Sequence, residues 1–324
     1  MTTPNRNYNE PEAGETDWHI PVNENWNDID ADVQGAIDGD SDAVVTTTEE
    51  GGIEMVVDGA DGEGILNIQT GEQAAETSLL QAIGDGEVAA DDGNIYTTVQ
   101  DAADAATDWV FVGNGTFAES VDITTTGLTI EGTGRGSFIQ STGSGPAIDA
   151  ATDVTVKNVR VETSGTTDNA DAINTGTNLE VRGVYISGSD SGGVRVDHSR
   201  VDVINCEIEN TSSFGVGVQG GNNSFVVNNY LTGTSDGLAT WSDNHTFSQN
   251  WIVDPGGKGI RVEDANMVVT ENQIRDAGGN GIDVYGAANG SIITTNRIFG
   301  SVGSDLNDRG GHSNTIIDNN VTGT

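Results

Sequence analysis

The sequence predicts an all-β chain, a right-handed parallel β-helix with coils of about 22 residues. A short N-terminal helix is expected to cap it, and a small N-terminal attachment region to precede it. Three observations predict this class. Five Gly-headed segments recur at one interval, and a second apolar marker keeps nearly the same interval beside them. The 324 residues include 45 Gly but only 5% aromatics, which suits tight turns between short strands better than a bulky sandwich core.

The first marker reads GlyValArgVal from Gly193, GlyValGlyVal from Gly215, GlyLeuAlaThr from Gly237, GlyIleArgVal from Gly259 and GlyIleAspVal from Gly281. Its glycines are 22 residues apart each time. The second marker ends at Ile186, Ile208, Leu231, Ile252, Ile274 and Ile298, with an earlier copy at Val161 and a last one at Val321. In each marker apolar residues alternate with a variable one, the period of a strand with one buried face. Two short strands per coil are therefore expected, with Gly, Asn, Asp and Ser between them, in seven or eight coils from residue 110 onward. A propeller blade needs roughly 40 residues, so that architecture is excluded.

Stacking places like residues over like. Val194, Val216, Leu238, Ile260 and Ile282 should form one inner ladder. Val196, Val218, Val262 and Val284 should form the next, interrupted by Thr240. Asn229, Asn250, Asn272, Asn296 and Asn319 should form an amide ladder at a turn, each side chain serving the next. Cys206 falls in that column as a small buried thiol. It is the only cysteine, so no intrachain disulfide can form.

The balance of 51 acidic against 12 basic residues, only two of them Lys, repels nucleic acid and anionic lipid. The acids are interleaved with Val, Ile and Leu, so disorder does not account for them. Such a composition resembles proteins of salt-accumulating haloarchaea or their viruses. Molar salt would screen the self-repulsion within about 3 Å. No basic and apolar leader opens the chain, Arg6 stands alone, and no run of 18 apolar residues occurs. A secretory signal and a membrane span are therefore not expected.

The stretch from Asn94 to Ile139 carries a family resemblance. It holds ThrValGlnAspAlaAlaAspAlaAla (98–106), TrpValPheValGlyAsnGlyThrPheAlaGlu (109–119) and GlyLeuThrIleGluGlyThrGly (127–134). This resembles the first coil of the pectin-lyase-like superfamily of right-handed β-helices, in which a short amphipathic helix covers the first coil. Val99, Ala102, Ala103 and Ala106 would be the covering face. The resemblance bears on fold across 94–324 and weakly on function, because many chemistries share the scaffold.

Residues 1–40 are expected to be an acidic attachment segment with a short helix, 41–92 a small β-rich or collar region, and 93–324 the β-helix. Residues 17–33 resemble the attachment segments of tail and spike proteins of archaeal tailed viruses, which makes Trp18, Ile20, Trp26 and Ile29 the candidate virion-attachment residues. Residues 43–70 hold three strand-like runs, and 72–83 suit a helix. The last repeat carries no covering segment, which favours an oligomer. Resemblance to phage tailspikes implies a homotrimer.

No zinc, phosphate-loop or nucleotide fingerprint is present, and no metal or cofactor is expected. The four His are expected at turns or on the surface. Asp197, Gln219, Trp241, Glu263 and Tyr285 should share a column. Asp243, Glu263 and Asp264 should approach one another near His245. Paired carboxylates can run glycoside hydrolysis, but the polygalacturonase-like motifs are missing, so no catalytic residue is assigned. The outward column Arg160, Tyr185, Glu207, Tyr230, Trp251, Gln273, Arg297 offers rings. Tyr185, Tyr230 and Trp251 are the candidate carbohydrate- or interface-binding residues. The expected function is a haloarchaeal virion structural protein: a spike, tail fibre or capsid decoration. Its expected partners are other virion proteins and a host glycan or surface layer. The alternative is a polysaccharide lyase or glycoside hydrolase.

Overall fold

The computed structural model describes residues 42–47, 53–58, 86–141, 143–164, 170–318 and 320–323. The chain divides into two units, residues 1–82 and 83–324. In the first, β1 (Asp42–Thr47) pairs antiparallel with β2 (Ile53–Asp58), Asp42 opposite Asp58. These are two of the three expected strand-like runs. The third run, the helix expected at 72–83, and Trp18, Ile20, Trp26 and Ile29 lie outside the described residues.

The second unit is a parallel solenoid whose coils carry three strands, not two. Sheet A holds the first marker in nine strands, from Val121–Ile123 to Leu306–Asp308, one more coil than the upper expectation. Sheet C holds the second marker, as in Glu207–Glu209, Tyr230–Thr232 and Trp251–Val253. Sheet B lies between them in sequence, as in Val201–Ile204, Phe225–Val227 and Thr246–Ser248. Its strands escape a reading by alternation because many are apolar outside as well as inside, such as PheValVal and IleIleThr.

The inner ladders stand as expected. Val194, Val216, Leu238, Ile260 and Ile282 pair in unbroken register, as do Ile186, Ile208, Leu231, Ile252, Ile274 and Ile298. Sheet B adds Val203, Val226, Phe247, Val269 and Ile293, all fully buried. Each such apolar side chain contributes roughly 1.5–3 kcal/mol on leaving water. Thr240 breaks the second ladder of sheet A and remains buried, its hydroxyl donating to the Ser242 carbonyl at 2.8 Å.

The amide ladder runs from Asn229 through Asn250, Asn272 and Asn296. Its fifth rung is Asn320, not Asn319: Asn296 Nδ2 donates to Asn320 Oδ1 at 2.9 Å. The last second-marker copy is therefore offset by one residue. Val321 takes the outward place opposite Arg297, and Thr322 takes the inward one. Cys206 heads the column, its backbone N–H donating to Asn229 Oδ1 at 2.8 Å. Just before these residues, Asn205, Asn228, Gln249, Glu271 and Thr295 have left-handed φ of 56–58°. That conformation bends the chain from sheet B to sheet C and favours Asn over most residues.

The covering helix α1 spans Val99–Ala105, with Val99, Ala102 and Ala103 buried and Ala106 as C-cap. Thr98 caps its N-terminus by accepting from the Asp101 N–H at 3.1 Å. The Glu119 carboxylate accepts from the Val99 and Gln100 N–H groups at 2.7 and 3.0 Å. Charge and donors agree with the positive end of the helix. The strand Val88–Ala90, before the boundary expected at 92/93, pairs antiparallel with Trp109–Val112 of this unit.

Candidate functional site

The outer wall of sheet C carries the predicted ring column in register, Arg160 beside Tyr185, then Glu207, Tyr230, Trp251, Gln273 and Arg297. Tyr230 and Trp251 meet edge to face, with centroids 5.5 Å apart at 81°. Trp251 is 45% exposed, so a ring face propped by its neighbour looks into solvent. Tyr185 is held differently. The Arg135 guanidinium lies 3.8 Å over its ring, and its hydroxyl donates to Glu209 Oε2 at 2.9 Å. Partial burial, and then this carboxylate, push the Tyr185 hydroxyl above its usual range. Arg135 also pairs with Glu207, whose coil separates Tyr185 from the ring pair. The three candidates thus form two clusters: a bare ring pair and a buttressed tyrosine.

A second wall lies outside sheet A. Phe214 packs on Gly192 and Gly217, where a Cβ would fall 2.1 and 2.6 Å from its ring carbons. Trp241 meets Phe214 edge to face at 5.9 Å. Arg261 lies 5.1 Å from the Trp241 ring and 5.5 Å from Tyr285, and Arg309 covers Tyr285 at 3.9 Å. Arg309 also grips the buried Asp283 carboxylate through two nitrogens, at 2.9 and 2.6 Å. The predicted column of Trp241, Glu263 and Tyr285 is present. Its partners Phe214, Arg261 and Arg309 come from other columns, which a column-by-column reading of the sequence could not join.

At the early end of sheet A stand carboxylates that sequence reasoning missed. Asp171 is buried, 2.8 Å from Arg195, and accepts the Gly192 N–H at 2.6 Å. Burial pushes its carboxyl upward against the pull of Arg195. Asp149 accepts from Asn174 Nδ2 at 2.9 Å. Desolvation and the charges of Asp122 and Asp197 push it upward too. These coils are spaced 25 and then 21 residues, Ile148 to Ile173 to Val194. The regular 22-residue spacing therefore could not reveal them.

The trio expected at Asp243, Glu263 and Asp264 is close enough to interact: burial, then Asp243 and Glu263, raise Asp264. Two of its members are already engaged. Arg261 holds Glu263 at 2.8 Å, and Asp243 accepts the Ala265 N–H at 2.7 Å. His245 is no surface residue. It is 1% exposed, accepts the Ser224 N–H on Nδ1 at 3.2 Å, and has Ser242 Oγ 3.0 Å from Nε2. Burial pushes it down to about 4, so its imidazole is neutral and built into the wall. Among the described residues, no group of three or more His, Cys, Asp or Glu is placed to hold a metal ion. No described helix is long and apolar enough to cross a membrane.

The register of sheets A, B and C defines a parallel β-helix. Residues 169–322 match the family model described as a right handed beta helix region. No curated protein matches the chain significantly. Among solved structures, the enzymatically active domain of bacteriophage CBA120 tailspike protein 2 is similar at TM-score 0.57 and 15% identity, over 69% of this chain and 40% of that one. The Dettilon tailspike protein gp208 is similar at 0.51 and 15%, over 65% and 48%. The catalytic domain of a GH87 alpha-1,3-glucanase, solved with nigerose, is similar at 0.50 and 15%, over 58% and 40%. The chain spans less than half the length of each. At these identities the likeness is one of fold.

Proposed function

We propose that this chain is a structural protein of a haloarchaeal virus particle, a spike, tail fibre or capsid decoration, whose β-helix touches a glycan of the host surface. The observation that carries the reading is the Tyr230–Trp251 pair. In a chain with 5% aromatics, a Trp with a free ring face is held upright on a flat wall by its neighbour. Rings of this kind stack on the apolar face of a sugar. Glu207, Gln273 and Thr232, adjacent on the same wall, supply acceptors and donors for its hydroxyls. The similarity to two tailspikes supports a particle setting, and the acidic composition supports a high-salt one. Other virion proteins are the partners proposed for residues 1–40. The test is co-sedimentation of the full chain with isolated haloarchaeal cell envelopes in molar KCl. Binding lost in Trp251→Ala, with unchanged melting, supports the reading, and wild-type protein that stays in the supernatant overturns it.

A second reading is favoured by one observation, the carboxyls raised on sheet A. Asp149 is shifted toward the neutral form by burial and by the charges of Asp122 and Asp197, as the proton donor of glycoside hydrolysis requires. Release of reducing ends from envelope polysaccharide, lost in Asp149→Asn and Asp197→Asn, would establish this reading over simple contact.

A further inference from the structure

Sheet B changes chemistry halfway along its outer face. From Thr129 to Ile204 five of its eight outward positions are charged, Glu131, Lys157, Glu180, Arg182 and Asp202, the others being Thr129, Thr155 and Ile204. From Phe225 onward the first outward column reads Phe225, Thr246, Val268, Ile292, Ile316, and the second reads Val227, Ser248, Thr270, Thr294, Asp318. One of these ten positions is charged, in a chain of formal net charge −39. Phe225, Ile292 and Ile316 are 46%, 40% and 54% exposed. The turns on either side carry neutral amides at their left-handed positions. Asn223, Asn244 and Asn266 line one edge, and Asn228 and Gln249 the other, where Glu271 is the exception. An apolar centre with a neutral polar rim is the anatomy of a protein interface.

The charge pattern selects the occupant. A basic partner would be drawn to the carboxylates that cover the rest of the chain, not to the one stripe that lacks them. An acidic partner can approach closely only where like charges do not face one another. A second copy of this chain has that property and carries the same stripe. We infer that the outer face of sheet B from Phe225 to Ile316 is where two copies dock side by side along the solenoid axis. Like stripe on like stripe closes at two copies, unlike the homotrimer expected from sequence, whose candidate interface residues Tyr185, Tyr230 and Trp251 lie on sheet C.

The size of the face sets the strength. Five strands about 4.8 Å apart make a stripe roughly 24 Å long and one short strand wide, about 10 Å. That centre is well below the ~800 Å² per partner of a standard interface. The amide rim must add to it, and association is weak until the repulsion between two highly acidic chains is screened. Molar salt shortens the screening length to about 3 Å, so copies should associate there and separate in dilute buffer. The inference is independent of the glycan reading, whose rings lie on sheet C.

Sedimentation velocity of the full chain in dilute buffer and in molar KCl tests it. Wild type should become oligomeric in KCl. Ile292→Glu/Ile316→Glu should weaken that association by about tenfold or more, with unchanged melting because both side chains already face solvent. Val302→Glu, an exposed apolar position off the stripe, should associate like wild type. Wild type that remains monomeric at high micromolar concentration in molar KCl overturns the inference. So does a double variant that assembles as wild type does.

Discussion

Asn250 accepts two hydrogen bonds from Asn229 through a single oxygen. The Asn229 backbone N–H lies 3.0 Å from Asn250 Oδ1, and the Asn229 Nδ2 lies 2.9 Å from it. Asn250 Nδ2 in turn donates to the Val226 carbonyl at 2.8 Å and to Asn272 Oδ1 at 2.9 Å. The ladder thus satisfies main chain and side chain together at a turn that water does not reach. Asn250→Leu removes the acceptor for two buried donors and the donor for two acceptors. Each orphaned buried group costs about 1–3 kcal/mol. The variant should lose several kcal/mol in a chemical denaturation curve, far more than replacement of the exposed Asn228. Equal loss in the two variants would mean that the ladder is not what holds this turn.

Leu238 sits fully buried between Val216 and Ile260 in register. Leu238→Ala leaves a cavity that coils fixed by their neighbours cannot collapse around, so a loss of about 3–5 kcal/mol is expected. Leu231→Ala in the sheet C ladder should behave alike. A loss under 1 kcal/mol in both would mean that the coils do not pack as rigid layers.

How far the sequence exposes this molecule depends on the regularity of its repeat. Gly193, Gly215, Gly237 and Gly259 keep a fixed interval, and the inner ladders follow from them directly. Sheet B was hidden because Ile292, Val268 and Phe225 are apolar on the outside, which erases alternation. The same feature makes it an interface candidate. Asp149 and Asp171 were hidden because the coils that carry them are spaced irregularly, 25 and then 21 residues apart. The Phe214–Trp241–Arg261–Tyr285–Arg309 stack joins residues from different columns, and only side-chain reach brings them together. His245 stands at a turn, one of the two places expected of it, and its burial is not legible in the sequence because it depends on the partners Ser224 and Ser242.

His245 gives the fold a pH dependence of definite sign. Its folded value of about 4 lies below the usual 6.5 because burial penalises the imidazolium. Between those values the unfolded chain binds a proton that the folded chain does not, so stability falls as pH drops from about 6.5 to 4. Below about 4 both states are protonated and the effect is complete. A shift of this size corresponds to roughly 3 kcal/mol. His245→Asn should flatten the stability profile across that window, as read by denaturation at stepped pH. An unchanged slope would assign the acid sensitivity to carboxylates instead.

Cys206 is 2% exposed, with its Sγ 3.4 Å from the Ile204 carbonyl and 3.5 Å from that of Val181. Burial pushes the thiol up to about 12, so almost no thiolate exists at neutral pH. Alkylation of the folded protein should therefore be slower than that of the denatured chain by about a hundredfold or more, a ratio that compounds burial with thiolate fraction. Rapid labelling of native protein would show that the first rung of the amide column opens readily.

Asp202 and Glu180 stand directly opposite one another on adjacent coils of sheet B. Desolvation, and then the Glu180 charge, raise the Asp202 carboxyl above its usual range. A raised carboxyl stabilises the fold only while protonated, below the unfolded value. Its contribution is lost as pH rises through the folded value, so at neutral pH the ionised pair opposes folding. Asp202→Asn should therefore stabilise the protein in dilute buffer by about 0.5 kcal/mol, the scale for like charges facing across a strand pair. Salt competes for the same repulsion, and about 1 M shortens its range to roughly 3 Å. The gain of the variant should then shrink, while the melting temperature of wild type climbs with KCl because 51 acids face 12 bases. Thermal melts of both proteins across a KCl series measure the two effects at once. A wild-type melting temperature that falls or stays level with added KCl would mean that carboxylate repulsion is not what limits this solenoid.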